Sequence, residues 1–177
     1  MTGRGEEAMI IIRAETPEDY AAVRRVNALA FGREGEGALV DKLRAASPHI
    51  SLVAVEDSEV VGHIFFSPAT VESGPADFAA VALGPMAVLP GRQNRGVGSQ
   101  LVRRGLEECK SQGHDVVFVL GHPDYYPRFG FAPAGAKGIR CEYPVPDEAF
   151  MVVELRPGAL GGRTGLMRYR PEFAEVE

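Results

Sequence analysis

Gln93-Asn94-Arg95-Gly96-Val97-Gly98 stands between an apolar stretch ending near Leu89 and a run in which Leu101, Val102, Leu106 and Cys109 recur at helical spacing to about Gln112. A chain that must pass from strand to helix through two closely spaced glycines has few ways to fold. The turn leaves several backbone N–H groups unpaired and aimed at one spot, where the helix dipole adds partial positive charge. Glycine lets a ligand approach the backbone closely and admits positive φ. The pattern suits a pyrophosphate, although a tight turn without a ligand has the same spelling. Two nucleotide-binding alternatives drop out. The third glycine of a dinucleotide fingerprint would fall at Leu101, and no Gly-Lys-Ser/Thr follows as a Walker loop requires.

Other elements fall into place around this one. Ile10-Ile11-Ile12 reads as a first strand. Thr16-Pro17-Glu18-Asp19 offers an N-cap, a proline at the first helical position and early acids, so a first helix is expected to run to about Phe31. Leu39, Val40 and Leu43 mark a second helix ending near Ala46. Strands follow over 51–56 and 60–67, joined by a polar turn, and a further strand over 78–89 is interrupted by Gly84-Pro85. Val116 to Leu120 is a continuous apolar run, as in a central strand buried on both faces. Strands at 150–155 and 166–169 close the list. The order β-α-α-β-β-β-α-β, with more strand after it, predicts an α/β (α+β) domain in one piece with a mixed sheet.

The chain's 177 residues suffice for one hydrophobic core and are short for two. A net charge of −5 argues against coating nucleic acid or an anionic membrane, although Arg92, Arg95, Arg103 and Arg104 form a local basic cluster. Cys109 and Cys141 stand far apart with no Cys-x-x-Cys spacing, and the four histidines make no i, i+4 pair around a glutamate, so no metal and no disulfide framework is expected. No apolar run approaches the roughly 18–20 residues that span a bilayer. Residues 1–8 are polar, with Glu6 and Glu7, and read as a short mobile leader rather than a signal peptide. Residues 9–177 are expected to form the single domain, in the cytoplasm.

The run from Leu83 to Leu101, with Met86-Ala87-Val88, Pro90 and Gln93-x-x-Gly96-x-Gly98, closely resembles the acetyl-CoA-binding motif of the GCN5-related N-acetyltransferase (GNAT) family. Tyr126-Pro127-Arg128-Phe129-Gly130-Phe131 is similar to the same family's Tyr-x-x-x-Gly-Phe segment. Leu120-Gly121-His122-Pro123-Asp124-Tyr125-Tyr126, Ala30-Phe31-Gly32 and Val145 to Phe150 resemble its YhbS-like subgroup, and the likeness extends from Ile10 to Phe173. The resemblance implies a mixed, mostly antiparallel twisted sheet flanked by helices, with central strands that splay. It implies acetyl-CoA as cosubstrate, with cofactor contacts from Met86, Ala87, Val88, Gln93, Asn94, Arg95, Gly96, Val97, Gly98, Ser99, Leu120 and Tyr126. The turn amides would hold the pyrophosphate, and the 86–88 backbone would pair with pantetheine. Tyr126 would stand near the sulfur as general acid, with Tyr125 as the substitute.

The expected activity is direct acetyl transfer to a primary amine. A noncatalytic acyl-CoA-binding module and a transferase for a longer acyl group are the alternatives. Partners are acetyl-CoA and the amine, with no nucleic acid or membrane, and a homodimer is left open. The base is the missing part, because residues 79–90 contain no Asp or Glu where many members of that family carry a glutamate. His63 is a weak base candidate, since a lone strand histidine is usually structural. Glu36 could recognise a cationic acceptor, although most helix acids are simply solvated. Phe31 and His122 are candidates for pocket lining. An acyl-cysteine at Cys141 fits less well than direct transfer.

Overall fold

A computed structural model describes residues 9–74 and 76–175; the expected leader at 1–8 lies outside the described residues. Along the chain run β1 (Ile11–Ala14), α1 (Tyr20–Phe31), α2 (Gly35–Ala46), β2 (Ile50–Glu56), β3 (Glu59–Glu72), β4 (Phe78–Val88), α3 (Val97–Ser111), β5 (Val116–Leu120), β6 (Ala132–Pro133), β7 (Ile139–Cys141), β8 (Phe150–Glu154) and β9 (Gly165–Arg168). The strands form one sheet in the order β1-β2-β3-β4-β5-β8-β6, with β9 bridging β3 and β7. Pairing is antiparallel except for β4 with β5 and β7 with β9. This is the mixed, mostly antiparallel α/β sheet that the sequence implied.

Helices cover both faces of β3. The built Cβ of Gly62 would stand 3.0 Å from Leu101 of α3, whereas the next residue, His63, meets Asn27 of α1. Neighbouring strand residues point to opposite faces, so α1 and α3 lie on opposite sides of the sheet. The face of α3 that carries Val97, Leu101, Val102, Gly105 and Cys109 is buried. It lies close: a Cβ on Gly105 would come 2.4 Å from the Phe66 ring. Burying Leu101 completely contributes about 1.5–3 kcal/mol.

Three local details differ from the sequence reading. The Pro17–Asp19 turn is 3-10 and precedes α1 rather than opening it. Asp19 accepts from the Thr16 N–H at 2.8 Å and takes both terminal nitrogens of Arg13, which holds its carboxyl down to about 2. β3 continues past Ser67, through Pro68, to Glu72. Its pairing with β2 ends at Phe66 and its pairing with β9 begins at Thr70, so on that edge no ladder bond is required of Pro68. β6 and β7 span two and three residues, too short for a period of two to be visible.

β5 divides two cores. Val117 and Val119 join the cluster under the helices, and Phe118 joins a second cluster, stacked on Phe150 at 5.4 Å. Its pairing with β4 runs Val81–Val117, Ala82–Phe118 and Leu83–Val119, and stops there. At that point β4 places Gly84 and Pro85 opposite the single residue Phe65 of β3, a bulge. The two strands separate beyond it. The functional site is built in that separation.

Candidate functional site

One wall of the separation is the turn into α3. Asn94 (φ 64°) and Gly96 (φ 83°) both take left-handed backbone conformations. Gly96 is the N-cap and has no side chain with which to cap, while the first helical bond runs from Gln100 N–H to Gly96 O at 3.0 Å. Val97, Gly98 and Ser99 N–H therefore have no acceptor within the helix, at its positive end. No atom lies within 4 Å of where a Cβ on Gly96 would stand. Those open amides and that space fit a pyrophosphate.

The second wall is the edge of β4. Leu89 N–H bonds Val61 O at 2.9 Å, and in an antiparallel ladder the bonded residues alternate, so Ala87 faces β3 as Leu89 does. The polar backbone groups of Met86 and Val88 face the opposite edge, where β5 no longer pairs. Gln93 Nε2 already donates to Val88 O at 3.1 Å. Of Met86, Ala87 and Val88, the outer two thus offer free N–H groups to the opening, and Ala87 contributes its place in the ladder.

Two cavities meet across Met86 and Phe31, which line both. The larger, about 690 Å³, follows the turn and is bounded by Val88, Gln93, Asn94, Gly96, Gly98 and Ser99. Arg128, over the Tyr125 ring, adds positive charge there, and Arg92 lines the same cavity while paired with Glu56 at 3.0 Å. Arg95 is exposed, so its contribution to this cavity is its position in the turn. His122 lines this same cavity, on the side of the phosphate turn.

The second cavity, about 390 Å³, is mostly apolar and lies under the bulge, between Leu83 to Met86 and Val119-Leu120. Tyr126 lines it, opening a 3-10 turn over Tyr126–Phe129 that ends at Gly130 (φ 97°). Its ring packs edge-on against Phe131 and closes over Gly121, where a Cβ would come 2.3 Å from the ring. Burial, with Tyr125 beside it, raises the Tyr126 hydroxyl above the ordinary tyrosine value. Tyr125 instead reaches the other cavity, its hydroxyl 3.2 Å from Ser99 Oγ. The two adjacent tyrosines thus serve different cavities.

Glu36 is not the solvated helix acid that its position suggested. It is buried, in the first turn of α2, lines the apolar cavity and accepts from Arg33 Nε at 2.5 and 3.0 Å. His63 moves in the opposite sense. It is fully buried and bounds neither of the two cavities. Asn27 Nδ2 donates to Val23 O and to His63 Nδ1, so the ring carries its proton on Nε2 and donates to Ser51 Oγ at 2.9 Å. Its lone pair is occupied, and burial holds its pKa down to about 3. The base assignment for His63 is therefore corrected to a core histidine. Cys141 is half-buried, with its thiol pushed up by burial, and bounds neither cavity.

Sequence reasoning missed Tyr143, Tyr169 and Phe173, which complete the apolar cavity. No periodicity marks them, because they come from irregular segments around β7 and after β9. Among the described residues no group of three or more His, Cys, Asp or Glu is placed to hold a metal, and no helix is long and apolar enough to cross a membrane.

Known proteins share this fold. Residues 11–134 match the family model for the acetyltransferase (GNAT) domain. The Escherichia coli K12 N-acetyltransferase YhbS is 35% identical over 166 residues, which is 93% of this chain and 98% of the relative. YjhQ, an N-acetyltransferase of the same strain, is 42% identical over 134 residues, covering 73% of this chain and 74% of its own length. The crystal structure of E. coli YhbS in complex with CoA superposes with a TM-score of 0.88 at 34% identity, covering 94% of this chain and 93% of that one. A GNAT-family acetyltransferase from Brucella melitensis in complex with acetyl-CoA gives 0.76 at 35% identity, over 94% and 99% of the two chains.

Proposed function

The chain belongs to the GNAT family of acyl-CoA-dependent N-acetyltransferases, and from that membership we propose that it moves the acetyl group of acetyl-CoA directly to a primary amine, with Tyr126 as general acid. One observation carries the reading. The cavity along the capless helix N-terminus shares Phe31 and Met86 with the cavity that Tyr126 lines, where β4 and β5 stop pairing.

Acetyl-CoA supplies the activated acetyl group. The amides of Gly96 to Ser99 bind its pyrophosphate, and the outward backbone of Met86 and Val88 takes the pantetheine arm as a further strand. A free N–H of that edge polarises the acetyl carbonyl, as a preorganised donor does wherever negative charge develops. Tyr126 holds the proton that the departing sulfur needs. The balance is simple: the amine nitrogen bonds to the carbonyl carbon, the carbon–sulfur bond breaks, and its electron pair takes the tyrosine proton. The nitrogen sheds one proton, which returns to the tyrosine through solvent. A reducing cytoplasm suits the unpaired Cys109 and Cys141.

The test joins binding to turnover. Acetyl-CoA is expected to raise the melting temperature, by about 2.7 kcal/mol of stabilisation at 100 times its Kd. Free thiol is expected to appear when amines are added. Stabilisation without thiol release from any amine would contradict direct transfer. Stronger protection by a longer acyl-CoA would shift the donor assignment.

A further inference from the structure

We infer that the acceptor is a small primary amine carrying an aromatic or comparably bulky apolar body, seated between Glu36 and the aromatic wall formed by Tyr143, Tyr169 and Phe173. This rests on the acetyltransferase reading above and names the substrate class of the same site.

The wall is built, not incidental. Tyr143 and Tyr169 stack at 5.7 Å, and Tyr169 meets Phe173 at 4.8 Å. The Tyr169 N–H donates to Glu142 at 2.5 Å, and Glu142 N–H returns a bond to Met167 O. The 3-10 turn over Pro171–Glu175 is fastened to α2 by Lys42 and Glu175. All three aromatic residues lie beyond 11–134, the part that matches the family model. The part that matches the family model therefore supplies the acyl side of the site, and the segment after it, over which the likeness to YhbS continues, closes the acceptor side.

Polarity selects within amines. Among the described residues Glu36 is the one carboxylate on the cavity surface, and it is already paired with Arg33. A carboxylate has about four acceptor sites, so it can take an N–H of the neutral amine beside the guanidinium and leave the nitrogen lone pair free to attack. The Glu36–Arg33 pair has no net charge, so it gives no reward for a second cationic centre. A second cationic centre would lose its water against the mostly apolar lining, a cost that contact with the Phe173 and Tyr169 rings offsets only in part. A polyamine or an aminoglycoside is thus the poorer fit to this cavity. At about 390 Å³, the cavity is near the lower end of the roughly 300–1,000 Å³ range of small-molecule sites.

Thiol release from acetyl-CoA by the full chain tests this with phenethylamine, spermidine and a lysine-containing peptide as acceptors. The expected result is a kcat/KM at least about 10-fold higher for phenethylamine than for either of the others. Phe173→Leu and Glu36→Gln should each raise the phenethylamine KM several-fold while leaving the acetyl-CoA KM unchanged. Glu36→Asp should recover part of the loss, and melting curves verify that each variant is folded. Preference for spermidine or the peptide overturns the acceptor class and leaves the acetyltransferase reading standing. So does a phenethylamine KM that ignores Phe173→Leu. If acetyl-CoA stabilises the protein but phenethylamine yields no thiol, the inference also fails. Loss of acetyl-CoA stabilisation itself would count against the parent reading instead.

Discussion

The Tyr125 hydroxyl stands 3.2 Å from Ser99 Oγ, which ties the aromatic turn after β5 to the first turn of α3. The same oxygen lies 3.0 Å from where a Cβ on Gly98 would be. The second glycine of the motif is thus constrained by a tyrosine 27 residues away as well as by any ligand.

Gly98→Ala is expected to lower the melting temperature and weaken acetyl-CoA binding, because the methyl displaces the tyrosine. Tyr125→Phe removes the obstructing oxygen. The double variant should regain part of the loss, with a coupling of about 0.5–3 kcal/mol in a double-mutant cycle. Simple additivity in denaturant titrations would sink the idea.

Gly96→Asp should abolish stabilisation by acetyl-CoA. Its Cβ meets no protein atom, so the fold is not disturbed by a clash, and aspartate and asparagine tolerate the left-handed backbone there better than most residues. Gly96→Asn is the control, with the same shape and no charge, and should retain part of the thermal shift. A thermal shift retained in full by both variants would mean that no anion binds at this turn.

Tyr126→Phe should reduce turnover toward the low end of the roughly 10²–10⁴-fold range of general-acid catalysis, because a thiolate is already a fair leaving group. Tyr125→Phe should stay near wild type in turnover. Since burial raises the Tyr126 pKa above its usual value of about 10, the acid form persists through neutral and mildly alkaline pH. A basic limb in kcat below about pH 10 that vanishes in Tyr126→Phe would contradict this. If Tyr125→Phe alone loses activity, the acid is the neighbouring residue.

His63 gives a pH dependence of stability. Its folded pKa of about 3 is below the ordinary 6.5, so below pH 6.5 the unfolded chain binds the extra proton. The stability is complete above pH 6.5 and is lost as pH falls toward 3, at a limiting slope of about 1.4 kcal/mol per unit. Urea unfolding at pH 7 and pH 5 should differ by about 1–2 kcal/mol, with a smaller difference in His63→Gln. Asp19, held down to about 2, acts only at lower pH and does not confuse the comparison.

What could be read from the sequence was local. The apolar period of α3, the two glycines before it, the valine run of β5 and the Tyr126 to Phe131 segment each carry their signal within a few residues. Their order along the chain was enough to specify a mixed sheet and the GNAT family. The interruption of β4 was legible as Gly84-Pro85, because both residues depart from regular strand geometry; that it is a bulge opposite Phe65 came only from the pairing.

The tertiary structure decided which of those residues face what. A lone histidine on a strand and a glutamate in a helix's first turn look alike to any local rule. His63 became a core residue because Asn27 and Ser51 meet it there, and Glu36 became a cavity acid because Tyr169 and Phe173 return from the far end of the chain near it. The same holds for Met86 and Val88, whose free edge exists only because β5 pairs no further than Val119. Burial and ladder pairing are set by contacts between segments distant in sequence, whereas turn chemistry and periodicity act between near neighbours, and only the latter are written in the order of residues.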